Sequence, residues 1–174
     1  MMAVITAHGQ SPSRDPNVNA SLNPSVNATI NPTINSSINP QINSSLNPSI
    51  NSSLNPTINA SINPRINSSI NPQINSSLNP NINASINPGI SRAMRGLYLW
   101  SPNNNRLMAV MVFVNREFFV LFSGGQWRGY VASNGSDGFN YFTTDGNWVG
   151  YFLSNSETGL NLFDTNGAWI GFTT

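Results

Sequence analysis

The chain has 174 residues, a net charge of +1 and only 7% charged residues, all of its basic ones arginine. So little charge leaves no electrostatic footprint for a nucleic acid or an anionic membrane, and it gives weak protection against self-association. The absence of cysteine removes disulfides, thiol catalysis and zinc–thiolate sites, and no apolar run approaches the ~20 residues that span a bilayer.

Residues 1–14 read as a flexible N-terminus. The opening MMAVITAHGQ has no basic flank and too short an apolar run for a secretory signal. An extracellular position, or one on a cell or spore surface, would therefore need another export route; the cytoplasm is the alternative. His8 is the only histidine, and without partners it builds neither a triad nor a metal site.

Residues 15–90 are an octapeptide repeat: DPNVNASL, NPSVNATI, NPTINSSI, NPQINSSL and onward to NPNINASI and NPGI, nine octads and a half without insertion or deletion. The segment has no aromatic residue, and Arg65 is its only charge between Asn17 and Pro88. Proline in every octad excludes an α-helix. Apolar residues at every fourth position rather than every second exclude a long flat strand. Each tetrad then reads as one side of a coil, with Asn31, Asn35, Asn39 and Asn43 as corners, since Asn tolerates turn and left-handed backbone. Ile34, Ile38, Ile42, Leu46, Ile50 and Leu54 are the expected core. Stacked coils of this kind predict a β-solenoid or a multi-chain β-helical stalk with ~4.8 Å rungs. The competing reading is low-complexity disorder, against which stands a register that never slips. Nine Asn-x-Ser/Thr triplets, one per octad from Asn19 to Asn83, either accept glycans or reflect what the coil needs at those positions.

A basic joint at 91–96 (Arg92, Arg95) leads into 97–174, which holds every Trp and Tyr. Trp127, Trp148 and Trp169 recur at a constant interval, and Gly129, Gly150 and Gly171 follow them at the same interval. Apolar segments alternate with Gly, Asn and Asp turns such as Asp145-Gly146 and Asn166-Gly167, the pattern of tandem β-hairpins. Four of them predict a pseudo-four-fold ring without free edges; the first departs from the others, with Leu107 in the Trp slot and Ala109 in the Gly slot. The segments F-T-T-D-G-N-W-V-G-Y (142–151) and F-D-T-N-G-A-W-I-G-F (163–172) resemble the hairpin units of bacterial four-fold beta flower proteins. That resemblance covers about 80 residues and implies a compact all-β module of unassigned activity, with no catalytic residues to carry over.

No spacing of acids supports paired-carboxylate catalysis, and the Gly-rich SGG at 123–125 precedes a Trp rather than a helix, so it is no phosphate cradle. Neither an enzyme, a cofactor nor a metal is expected. The whole chain reads as an all-β structural protein, a self-assembling fibre or appendage subunit whose partners are other copies of itself. The alternative is a module binding surface glycans through Trp127, Trp148, Trp169 and Arg128, with the octads as spacer. Ice binding through the regular polar rows is a third possibility.

Overall fold

A computed structural model describes residues 3–6, 12–91, 93–156 and 159–174. Hairpin chemistry builds its framework. Gly146 and Gly167 take φ of 79° and 83°, the positive values that a tight turn requires and a side chain resists. The strands they punctuate are β1 (Ala3–Thr6), β2 (Ala93–Trp100), β3 (Leu107–Asn115), β4 (Phe118–Ser123) and β5 (Gln126–Ser133). Then follow β6 (Gly138–Thr143), β7 (Trp148–Ser154), β8 (Leu160–Asp164) and β9 (Trp169–Thr173). Each pairs antiparallel with the next, and β2 also pairs with β9, closing β2–β9 into an eight-stranded barrel. Strand β1 lies on the same edge of β2 as β9, but farther along, opposite Ala93–Gly96. The flexible N-terminus and the basic joint therefore need correcting, because each contributes a strand segment. His8, Arg92 and Glu157 lie outside the described residues.

The octads do not coil into a solenoid. Each tetrad closes on itself as one tight turn. In the Asn-Pro-x-Ile tetrads the Asn carbonyl accepts from the residues three and four later, as Asn23 does from Val26 and Asn27. Proline occupies the first turn position, where no N–H is needed. The next three residues, such as Ala28–Ile30, form a 3-10 turn capped by Asn27. Asn27 Oδ1 accepts the Thr29 N–H (3.1 Å) and hydroxyl (2.6 Å), and its Nδ2 donates to the Ser21 carbonyl (2.8 Å), tying one octad to the one before. Those bonds explain the Ser/Thr two places after each such Asn. They also take up the amides that a β-ladder would use, which is why no stack forms. The Asn corners adopt extended backbone, φ from −87° to −103°, rather than the left-handed form.

The octads instead run round the outside of the barrel as a belt. Thr174 Oγ1 donates to the Arg14 carbonyl (2.6 Å), Asn161 Nδ2 on β8 to Ile30 (2.9 Å) and Asn140 Nδ2 on β6 to Leu54 (3.2 Å). Leu78 and Ile86 then pack among Val112, Phe118 and Val120 on β3 and β4. The belt thus starts beside β9, passes the strands in reverse order and feeds into β2. Its inner face carries the prolines and the aliphatic residue of each second tetrad. Burial there repeats with every third octad: Leu22, Leu46 and Ile70 are half-buried, whereas Ile30, Leu54, Leu78, Ile38, Ile62 and Ile86 are buried.

This cover is what the barrel lacks by itself. Its strands do not simply alternate apolar and polar. In β4 the run Phe118–Phe122 is buried on both faces, and so is Tyr130–Ala132 in β5. One parity fills the barrel interior with Leu97, Leu99, Met111, Phe119, Leu121, Val131, Phe152 and Leu162. The other parity, including Val112, Val120, Tyr130 and Phe142, meets the belt. Leu54→Ala or Ile62→Ala is expected to cost about 2–5 kcal/mol, the range for truncating a buried aliphatic side chain. Ile58→Ala on the outer face is expected to cost under about 0.5 kcal/mol. Denaturant unfolding of the three variants checks the difference.

Candidate functional site

The apolar residues of the two tetrads are not equivalent. Ile38 and Leu54 are buried, and Leu46 packs against Tyr151, Leu153 and Phe163. Ile34, Ile42 and Ile50, expected in a stalk core, stand on the outside at 66–68% exposure. They belong to a row of ten, from Val18 to Ile90, one per octad and each 65–70% exposed. The reason is geometric. Proline of one tetrad and the aliphatic residue of the next lie on the inner side, so the remaining aliphatic residue must face out. Asn31, Asn35, Asn39 and Asn43 are turn caps, and Asn31, which is buried, also holds the Pro24 carbonyl at 3.0 Å.

The tryptophans are half-buried rather than displayed. Trp127 Nε1 donates to the Gly129 carbonyl (2.8 Å) and Trp169 Nε1 to that of Gly171 (2.7 Å), each within its own strand. Trp127 leans on the Tyr130–Phe142 cluster, Trp148 on that cluster and on Tyr151, and Trp169 on Phe172. Arg128 is exposed next to Tyr141, whose hydroxyl pKa is raised by burial and lowered in part by that guanidinium. The three indoles stand one hairpin apart, on β5, β7 and β9, and Arg128 follows Trp127 on β5. Among the described residues, no three His, Asp or Glu side chains come together as metal ligands, and no helix is long and apolar enough to cross a membrane.

Where the belt passes the hairpin tips, a second pattern emerges. Asn17 Nδ2 donates to the Asn105 carbonyl in the β2–β3 turn (3.2 Å). Gln41 packs beside Gly167 in the β8–β9 turn, and Arg65 beside Gly146 in the β6–β7 turn, where its guanidinium donates to Asn147 Oδ1. Gly89 lies near Gly124 and Gly125 in the β4–β5 turn. Successive members of this set stand three octads apart, so three octads span one hairpin. All four residues occupy the same place in the octad, between proline and the outer aliphatic residue, where the side chain varies. Large side chains at Gln41 and Arg65 mark the spacing, and Gln73, one octad past Arg65, adds a second contact to the β6–β7 tip by donating to the Thr144 carbonyl (2.9 Å).

Beneath two of these tips sit Tyr130 and Tyr151, buried and stacked on Phe142 (5.4 Å) and Phe163 (5.6 Å). Among the described residues, neither hydroxyl has a hydrogen-bond partner. Burial raises both pKa values well above the ordinary tyrosine range; Arg65 partly opposes this at Tyr130, and Asp164 adds to it at Tyr151.

Comparison with known proteins gives no matching family model, no similar curated protein and no similar solved structure. The functional reading therefore rests on the geometry of this chain.

The buried phenols carry a pH prediction. Folding holds them neutral, while the unfolded chain ionises them above pH ~10. Their stability contribution is complete below that pH and falls as pH rises beyond it. The thermal midpoint is expected to drop between about pH 9 and pH 12, and less steeply in the Tyr130→Phe, Tyr151→Phe double variant. Equal slopes for the two proteins would contradict this account.

Proposed function

We propose that the protein is a non-enzymatic structural subunit that associates with other copies of itself through the outer face of its belt. The observation that carries this reading is the row from Val18 to Ile90. It holds ten β-branched aliphatic residues, all largely exposed, at fixed spacing along a continuous path around the barrel. Isolated exposed aliphatic residues are ordinary, but a contiguous and regular array marks a contact surface. The side chains beside the row are Asn, Ser, Thr, Ala and Gln, with Arg65 the one charge between Asn17 and Pro88, so little charge opposes close approach of a second belt. β-branched side chains also lose little rotamer freedom when covered.

In this reading the barrel is the rigid core on which the repeat is laid, rather than a head carried on a stalk. The hairpins then form a ring-like module of the kind that the resemblance of residues 142–151 and 163–172 to four-fold beta flower units implies. Assembly on a cell or spore surface suits a low-charge, cysteine-free protein of this type.

Substituting Ile42→Ser, Ile58→Ser and Ile74→Ser together tests the proposal. The wild type is expected to form higher-order species, visible by sedimentation and electron microscopy, as its concentration rises. The triple variant is expected to keep the same circular dichroism spectrum and remain monomeric. A wild type that stays monomeric at every concentration, or a variant that assembles equally well, would rule out the outer row as the contact.

A further inference from the structure

The four barrel hairpins meet along four cross-strand pairs on the belt-covered face. They are Phe172 with Trp100, Tyr151 with Phe163, Tyr130 with Phe142, and Val110 with Phe122. Three of the pairs are aromatic on both strands, and in two of them the rings stack. In the fourth, Val110 stands where the others place Tyr or Phe.

Two further side chains are cut short at the same corner. Leu107 takes the position held in the other hairpins by Trp127, Trp148 and Trp169. On the belt, Gly89 takes the position held over the neighbouring tips by Gln41 and Arg65. Among the described residues no side chain fills the space beside them, and an open cavity of about 360 Å³ lies there. Its walls are Pro88, Leu107, Met108, Val110, Phe122 and the Gly124–Gly125 turn. The turn glycines are exposed here, whereas Gly146 and Gly167 are covered at the corresponding tips.

We propose that this cavity binds a small planar aromatic molecule, of phenol to indole size, whose ring stacks on Phe122. The neighbouring corners indicate the occupant. Tyr130 lies on Phe142 with ring planes 25° apart, and Tyr151 on Phe163 with planes 23° apart. A free ring on Phe122 would reproduce that packing against walls of similar chemistry. Apolar cavities less than half this volume can take up benzene, and small-molecule sites commonly start near this size. A single polar substituent would point to the open β4–β5 tip, as Tyr130 Oη points to Gly146. The Ser123 hydroxyl lies at that end, donating to the Met108 carbonyl (2.8 Å) and keeping its acceptor capacity. The aliphatic and backbone walls offer no ion pair, so a neutral ring is favoured over an ionised one.

Titration of the full chain with indole and with p-cresol, followed by calorimetry and by the NMR signals of the Met108 and Val110 methyl groups, tests the site. Saturable binding is expected, with cyclohexanol at least about tenfold weaker because it cannot stack. Val110→Tyr supplies the missing ring from the chain itself, and is expected to abolish binding while leaving the thermal midpoint equal or higher. Gly89→Arg restores the side chain found over the neighbouring tip and is expected to weaken binding about tenfold or more; it decides the matter if the tyrosine variant does not fold. Absence of saturable binding to the wild type, equal affinity for cyclohexanol, or unchanged affinity in the folded variants would each overturn the proposal.

Discussion

The barrel in this protein is apolar on both faces, and the rest of the structure follows from that. A barrel strand with one wet face alternates inward apolar and outward polar residues. Here Tyr130, Val131 and Ala132 are consecutive and all buried. Left uncovered, the outer parity would expose a ring of tyrosine, phenylalanine and tryptophan to water, at about 25 cal/mol for every square ångström of apolar surface. The octads resolve this within one chain by laying proline, isoleucine and leucine against that ring. The belt in turn has no ladder and no second layer of its own. Its order comes from Asn caps within and between octads, and from the barrel beneath.

Two rigid repeats can share a surface only if their periods agree, and the agreement here is three octads to one hairpin. The buried amides of Asn140 and Asn161 mark it directly: they stand one hairpin repeat apart in the barrel and hold belt carbonyls, those of Leu54 and Ile30, that are three octads apart. Among the described residues each leaves its Oδ1 without a partner, a cost that an apolar residue of that size would not carry. What the pair supplies is registration, because an amide at that depth is satisfied only with a belt carbonyl opposite it. The Gln41 and Arg65 contacts at the hairpin tips repeat the same spacing on the rim.

The octad boundaries, the turn role of asparagine, the exclusion of helix and the hairpin turns were all legible in the sequence, because each is local chemistry. Solenoid stacking is not a sound extrapolation from them. It makes Ile34 and Ile38 equivalent, although only the second sits one place before the Asn-Pro that turns its side inward. Two signals point to the true arrangement. Runs such as Phe-Phe-Val-Leu-Phe at 118–122 have no polar face and so require cover. The inner aliphatic residue is isoleucine without exception in one octad of three (Ile38, Ile62, Ile86), whereas the other octads carry either leucine or isoleucine (Leu22, Ile30, Leu46, Leu54, Ile70, Leu78). Neither signal names the surface that the repeat covers, since the partner lies up to 160 residues away. The vacant corner at Val110 is visible in the sequence only as an atypical first hairpin.

Chain order adds a kinetic consequence. The belt precedes the barrel it covers, so during N-to-C synthesis nine octads emerge before any strand they can rest on. The bond from Thr174 to the Arg14 carbonyl and the β2–β9 closure both wait for the far end of the fold. Pairings this distant in sequence slow folding because the loop entropy is lost before the contacts form. A nascent chain with so many uncovered isoleucines would ordinarily be prone to aggregation. Proline in every octad and the self-capping Asn-Ser and Asn-Thr turns counter this, because they withhold the backbone donors that an intermolecular β-stack recruits. The residues that shape the finished belt thus also protect the chain while it has nothing to encircle.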